Sequence, residues 1–124
     1  MRNKLQAGVL VAMGLLLISV PLFAHHGNAA YIKRQVTIQG TVTSWQWVNP
    51  HSLLKVDVPD GKGGVVNWTC ENNAPPTLVN YGYTAKTFKP GDKVTVVMDY
   101  IAKDAPIGRV AWIKLANGQT LMAR

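Results

Sequence analysis

The chain contains three histidines, and two of them, His25 and His26, are adjacent. Both directly follow Ala24, the last residue of a segment with the composition of a bacterial secretion leader. Cleavage after Ala24 would make His25 the first residue of the mature chain, so that its free amine and its ring nitrogen can chelate one metal ion. A second imidazole, from His26 or from His51, completes a tetragonal nitrogen set of the kind that copper(II) prefers. The sequence therefore predicts a transition-metal site, with copper(II) as the leading candidate, built from His25, His26 and His51.

The same histidines have structural interpretations that the sequence leaves open. His51 follows Asn49-Pro50, and a histidine that opens a strand commonly hydrogen-bonds a neighbouring turn. The pair at the new terminus is equally typical of a solvated, flexible end. Cleavage one residue earlier would start the chain at Ala24 and place His26 third, which is the amino-terminal copper and nickel arrangement that uses backbone amides.

Residues 1–24 are predicted to be a signal peptide. Arg2 and Lys4 supply the positive start, and the apolar run from Leu10 to Val20 is shorter than the ~18 residues that usually cross a bilayer. We therefore expect export to the periplasm and no membrane span after cleavage, with an uncleaved membrane anchor as the alternative. The mature chain, of roughly a hundred residues, is long enough for one small domain.

Charge and cysteine content narrow the classes of function. The formal charge of +7 includes Arg2 and Lys4, so the mature form carries +5. Its lysines are spread along the chain, which is typical of a soluble surface and argues against a nucleic-acid partner. Cys70 is the only cysteine, so the chain has no internal disulfide, and its place in an alternating segment predicts burial.

Motifs for catalysis are absent from the sequence. The chain lacks a serine-nucleophile motif, a phosphate loop, a Cys-x-x-Cys pair and a His-Glu-x-x-His motif. Its six carboxylates, Glu71 among them, mostly lie at predicted turns or strand ends, and their spacing predicts no acid–base pair. We therefore expect a protein that is not an enzyme, with redox chemistry at an open copper position as the exception.

Alternating apolar residues predict an all-β chain. The alternation shifts phase before Trp45, which indicates a bulge or sharp bend inside a long first strand. The expected strands cover residues 36–43, 51–58, 65–70, 94–98, 107–115 and 119–122.

The order of these elements predicts a specific architecture. Residues 74–82 have room for one or two helical turns ended by a glycine, and Asn117-Gly118 predicts a two-residue hairpin before the last strand. A strand meander, a short helix and further strands are the order of a five- to six-stranded Greek-key barrel like the oligonucleotide/oligosaccharide-binding (OB) fold. We expect this barrel over residues 36–124, after an N-terminal segment at 25–35.

The apolar face of each strand predicts the core, and the tryptophans divide between core and surface. Trp112, like Trp68, lies within a segment of alternating apolar residues, and both are expected in the core. Trp45 and Trp47 share a face after the phase shift, and an outward tryptophan on such a barrel could stack on a ligand. The alternative function is therefore a periplasmic binding or interaction module for an oligosaccharide or a partner protein, without a metal. The predicted core residues are Val36, Ile38, Val42, Leu54, Val56, Val66, Trp68, Val94, Val96 and Met98.

Five short segments also carry a family resemblance: Ala24-His25-His26-Gly27, Gly40-Thr41-Val42-Thr43, Trp47-Val48-Asn49-Pro50-His51, Asn67-Trp68-Thr69-Cys70-Glu71 and Lys89-Pro90-Gly91-Asp92. Together they resemble a domain-of-unknown-function family of short exported bacterial proteins. The resemblance covers nearly the whole mature chain, and its most specific elements are the His-His start and the Trp-Val-Asn-Pro-His segment. It implies no activity.

Overall fold

A computed structural model describes residues 31–124 of the chain. The predicted signal peptide, His25 and His26 lie outside the described residues. Six strands and two short helical segments follow one another. In order, they are β1 (Tyr31–Gln46), β2 (Leu53–Pro59), β3 (Val65–Glu71), α1 (Pro75–Leu78), a 3-10 helix (Val79–Tyr81), β4 (Lys93–Ala102), β5 (Ile107–Leu115) and β6 (Thr120–Met122).

The six strands form one sheet that closes on itself. Their order is β3-β2-β1-β4-β5-β6, and a further pairing joins β3 to β5. This closing pair is parallel, whereas the other neighbours are antiparallel. Five strands in this order, with a helix between β3 and β4, make the OB-like barrel that the sequence predicts, and β6 extends it at the edge of β5. The partners in the closing pair are Thr69 with Ile107, Cys70 with Gly108 and Glu71 with Arg109.

β1 belongs to both halves of the barrel. Its first part, up to Thr41, pairs with β4, and the part from Thr41 to Gln46 pairs with β2. The register with β2 shifts between Val42 and Ser44. This irregularity is the bulge that the phase change in the sequence predicts.

The first strand begins at Tyr31, earlier than the barrel boundary that the sequence places at residue 36. Residues 32–35 are all exposed. Since this stretch pairs only with β4 and has no face on the core, its sequence carries no period of two. The last five residues of the predicted N-terminal segment (25–35) therefore belong to β1.

Most of the predicted core is buried, with three exceptions. Val36 and Trp68 are only partly buried against the core, and the prediction is wrong for Val66, which is 39% exposed. At Val66, β3 pairs with β2 alone, because its pairing with β5 begins only at Thr69. Among the described residues, no strand lies beside the other edge of this part of β3. Trp112 is partly buried and pairs with the exposed Met122, outside the core. The buried core comprises Ile38, Val42, Leu54, Val56, Cys70, Leu78, Tyr83, Phe88, Val94, Val96, Met98, Ile101, Val110, Ile113, Leu121 and Ala123.

The helical segment between β3 and β4 matches the prediction for residues 74–82. Pro75 is suited to the first turn of α1, where its missing N–H has no partner to lose. The 3-10 helix ends at Gly82, which has a φ of 86°. Leu78 and Tyr83 are fully buried, so this segment covers part of the barrel core. In the part of the chain that the structure describes, every helix is too short or too polar to cross a membrane.

Candidate metal centre at His51

The backbone around His51 is held by an extension of the β2–β3 hairpin. Ser52 donates its N–H to the carbonyl of Asn73 at 3.2 Å and accepts from the N–H of Asn72 at 2.8 Å. Ser52 and Asn72 are both buried polar residues. The chain directly after the histidine is therefore fixed. The peptide bond between Asn49 and Pro50, just before it, is cis.

The imidazole of His51 lies between a backbone carbonyl and a carboxylate. Its Nδ1 is 3.3 Å from the carbonyl oxygen of Asn72, and its Nε2 is 3.4 Å from Oε1 of Glu71. The side chain of His51 is 39% exposed, whereas that of Glu71 is 14% exposed. The ring is thus held at one edge and open to solvent at another.

Glu71 is the centre of a group that we call the His51 cluster: His51, Glu71, Tyr31 and Arg109. The hydroxyl of Tyr31 donates to Oε2 of Glu71 at 2.7 Å, and Arg109 lies 3.4 Å from Oε1. The guanidinium also lies over the Tyr31 ring, 5.9 Å from its centroid. Burial, together with the hydrogen bond to the Glu71 carboxylate, raises the pKa of Tyr31 to about 12. The hydroxyl is therefore a stable donor at neutral pH.

The cluster is assembled by barrel closure. Glu71 and Arg109 are register partners in the parallel pairing of β3 with β5, and Tyr31 is the first residue of β1. Sequence reasoning found His51 and missed the other three residues. A signal for Glu71 did exist, because the β2–β3 hairpin pairs Glu71 with Leu53, two residues after His51. Arg109 and Tyr31 come from distant segments, and no local pattern marks them.

The His51 cluster offers two donors to a metal ion, the imidazole nitrogen and the carboxylate oxygen. Among residues 31–124, no three or more His, Cys, Asp or Glu side chains are grouped so as to hold a metal. A complete site at His51 therefore needs ligands from elsewhere. The predicted ligands His25 and His26 lie outside the described residues.

The two tryptophans predicted as stacking residues lie near one end of the helical segment. Trp45 donates from Nε1 to the carbonyl of Thr84 at 3.0 Å and meets Phe88 edge-on, with ring centroids 5.1 Å apart. Trp47 lies 5.7 Å from Trp45, centroid to centroid. Both are partly buried and pack against the core. Ligand stacking by this pair stays a prediction.

A separate cavity of about 490 Å³ lies where β1, β4 and β5 run side by side. Lys93 and Lys114 give it a basic lining, and Lys93 donates to the hydroxyl of Thr41. None of the residues of the His51 cluster, nor Trp45 or Trp47, lines it.

Comparison with known proteins places the chain beside one family. A family model described as a family of unknown function, DUF6152, matches residues 12–109. This range includes every residue of the His51 cluster, and the match confirms the resemblance to a family of unknown function. No curated protein and no solved structure matches the chain.

Proposed function

The chain belongs to the DUF6152 family of unknown function, and we propose that it is an exported periplasmic protein whose mature form binds a transition metal ion, copper(II). The ligands are the free amine and imidazole of His25, the imidazole of His26 and the imidazole of His51. In this proposal the barrel carries the ion, buffering, delivering or sensing copper, and catalyses no reaction.

One observation supports the proposal above the others. The hydrogen bond from Tyr31 to Glu71 sets the start of β1 beside His51. His25 precedes Tyr31 by six residues, and six residues of chain span up to about 20 Å. The new N-terminus is therefore within reach of the imidazole of His51, which is partly exposed to an arriving ion.

The chemistry of the donors favours copper(II) among the divalent ions. A primary amine and neutral imidazoles are nitrogen ligands of intermediate softness, and copper(II) forms the strongest complexes with such sets. Both kinds of ligand must be deprotonated before they coordinate. We therefore expect copper(II) affinity to fall as the pH drops below about 6, where imidazoles protonate.

The experiment begins with residues 1–124, produced with the predicted signal peptide and purified from the periplasm. Mass analysis of the product should give a chain that begins at His25. A membrane-retained, full-length product would contradict both the periplasmic assignment and the free-amine ligand.

Titration with copper(II) then tests the site. Three alanines placed before His25 remove the chelating arrangement of the first residue, and we expect the affinity to fall by a factor of ten or more. A single alanine would instead place His26 third, in the amino-terminal copper arrangement that uses backbone amides, and two alanines would place His25 there. The matched control carries the same three alanines after Arg124 and should bind as the unmodified protein does. If both extended chains bind copper equally, the terminal site does not exist.

The variant His51→Ala tests whether the terminus and the barrel share one ion. We expect it to weaken copper binding strongly, and we expect His25→Ala combined with His51→Ala to lose little more than either alone, because ligands of one centre are not additive. An electron paramagnetic resonance spectrum that is unchanged in His51→Ala would show that the terminus binds alone. Indifference to copper, together with quenching of tryptophan fluorescence by glycans, would favour the oligosaccharide-binding module instead.

A further inference from the structure

Both ring nitrogens of His51 face hydrogen-bond acceptors. Nδ1 faces the carbonyl oxygen of Asn72 at 3.3 Å, and Nε2 faces the carboxylate of Glu71 at 3.4 Å. A neutral imidazole carries one N–H, so either tautomer satisfies one acceptor and leaves the other nitrogen lone pair opposed to oxygen lone pairs. The arrangement is satisfied only when a second proton or a metal ion occupies the remaining nitrogen.

The carbonyl of Asn72 indicates which nitrogen is available. Asn72 is buried, and its backbone N–H donates to the carbonyl of Ser52. A backbone carbonyl accepts a hydrogen bond but cannot donate one. A metal-bound histidine commonly donates its other N–H to such a carbonyl, which fixes the tautomer and the ring orientation. The proton then lies on Nδ1, and the lone pair of Nε2 points towards Glu71.

The two oxygens of Glu71 are engaged unequally. Oε2 accepts a short hydrogen bond of 2.7 Å from Tyr31. The contacts of Oε1 with His51 and Arg109 are both 3.4 Å, near the outer limit for a hydrogen bond. Oε1 is therefore engaged more weakly than Oε2 and is the oxygen that an ion would take, while Tyr31 holds the carboxylate in orientation.

The separation of the two donors suits a shared ion. With metal–nitrogen and metal–oxygen bonds of about 2.0 to 2.2 Å, two ligands at about 90° to 110° lie about 2.8 to 3.6 Å apart. Nε2 and Oε1 are 3.4 Å apart. Their separation therefore lies within the range expected for two ligands of one ion.

We propose that Glu71 is a ligand of the copper ion through Oε1, next to Nε2 of His51, and that it selects copper(II) over copper(I). The inference rests on the proposed function for the remaining ligands. A carboxylate is a hard, anionic ligand, which binds a divalent ion far better than the soft monovalent one. Among the described residues, the one thiol, Cys70, is buried in the core, and the His51 cluster contains no soft ligand.

The test uses Glu71→Gln, which keeps the shape of the side chain and an oxygen for Tyr31 but removes the charge. The matched control is Asp99→Asn. Asp99 is also paired with an arginine, Arg124, which in turn lies over a tyrosine ring, that of Tyr100, 5.4 Å from its centroid. Histidine is absent from the side-chain contacts described for Asp99. The control thus reproduces the charge change without the chelating pair.

Affinities for copper(II) and for copper(I) are measured by competition with chromophoric chelators, on the mature periplasmic protein. We expect Glu71→Gln to bind copper(II) at least ten-fold more weakly, to bind copper(I) as the unmodified protein does, and to show an altered electron paramagnetic resonance spectrum. Asp99→Asn should leave all three unchanged. Far-ultraviolet circular dichroism of each variant confirms that the barrel is intact.

The outcomes separate this inference from the proposed function. If Glu71→Gln binds both copper ions normally while the three alanines before His25 abolish binding, the terminal site stands and Glu71 is not a ligand. If Glu71→Gln and His51→Ala weaken copper(II) binding while the added alanines have no effect, the ligand assignment stands and the terminal site fails. A ten-fold loss shared by Asp99→Asn would reduce the effect to net charge and overturn the assignment.

Discussion

The hydrogen bond between Tyr31 and Glu71 holds the start of β1 at the His51 cluster, and its contribution to stability can be measured. In Tyr31→Phe the ring under Arg109 is kept and only the hydroxyl is lost. A hydrogen bond to a charged group contributes about 1.5 to 3 kcal/mol. Although the bond is only 2.7 Å long, Tyr31 is partly exposed to water, and we therefore expect the lower end of that range, about 1.5 kcal/mol.

A double-mutant cycle isolates this contribution from the other effects of each change. Urea unfolding of the metal-free protein, followed by tryptophan fluorescence, gives the free energy of unfolding of Tyr31→Phe, Glu71→Ala and the double variant. We expect a coupling energy of about 1 kcal/mol or more between the two sites. The exposed Tyr81, changed to phenylalanine in the same cycle, should give none. A coupling within the usual additivity error of about 0.3 to 0.5 kcal/mol would refute the contact, and with it the placement of the chain start beside His51.

Two further predictions concern the barrel itself. Gly40→Ala should lower the free energy of unfolding by about 3 kcal/mol, the upper end for overpacking, because its Cβ would overlap the main-chain oxygen of Asp57 in β2. Gly118→Ala, which has open space but a φ of 87°, should cost only about 1 kcal/mol; equal losses in urea unfolding would contradict the steric argument. Burial raises the pKa of Cys70 to about 12, so the folded thiol stays protonated while the thiol of the unfolded chain ionises from about pH 9. The contribution of Cys70 to the free energy of unfolding is therefore complete below about pH 9 and is lost as the pH rises towards 12. Between about pH 9 and 10 the free energy of unfolding should fall less in Cys70→Ala than in the unmodified protein. Equal falls in the two proteins would contradict this prediction.

Structural features that depend on residues close together in the sequence are predicted correctly. The bulge in β1 follows from the phase change before Trp45, and the end of the helical segment follows from Gly82, since both depend on residues that are neighbours along the chain. The exposure of Val66 could not be predicted in this way. Its alternation is that of a core strand, and only the short extent of the β3–β5 pairing leaves it uncovered.

The same distinction holds for the site. His51 stands out because of its residue type and the proline before it, which a reader of the sequence can see. The role of Glu71 depends on Arg109 and Tyr31, which are 38 and 40 residues away along the chain. Such a constellation is fixed by the strand order of the whole barrel, and residue spacing alone does not reveal it.

The parallel pairing of β3 with β5 gives the barrel a seam that is made of three residue pairs. Pairing between segments so distant in sequence forms late, because the entropy of closing the intervening loop must be met before the contact is made. We expect a seam this short to be among the first parts of the barrel to open in local fluctuations. The amide of Thr69, which donates across the seam to the carbonyl of Pro106 at 2.8 Å, reports on that opening through its hydrogen-exchange rate. Glu71 and Arg109 are partners across this seam. An ion bound at His51 and Glu71 would therefore slow the exchange at Thr69, because it would lengthen the time for which the barrel stays closed.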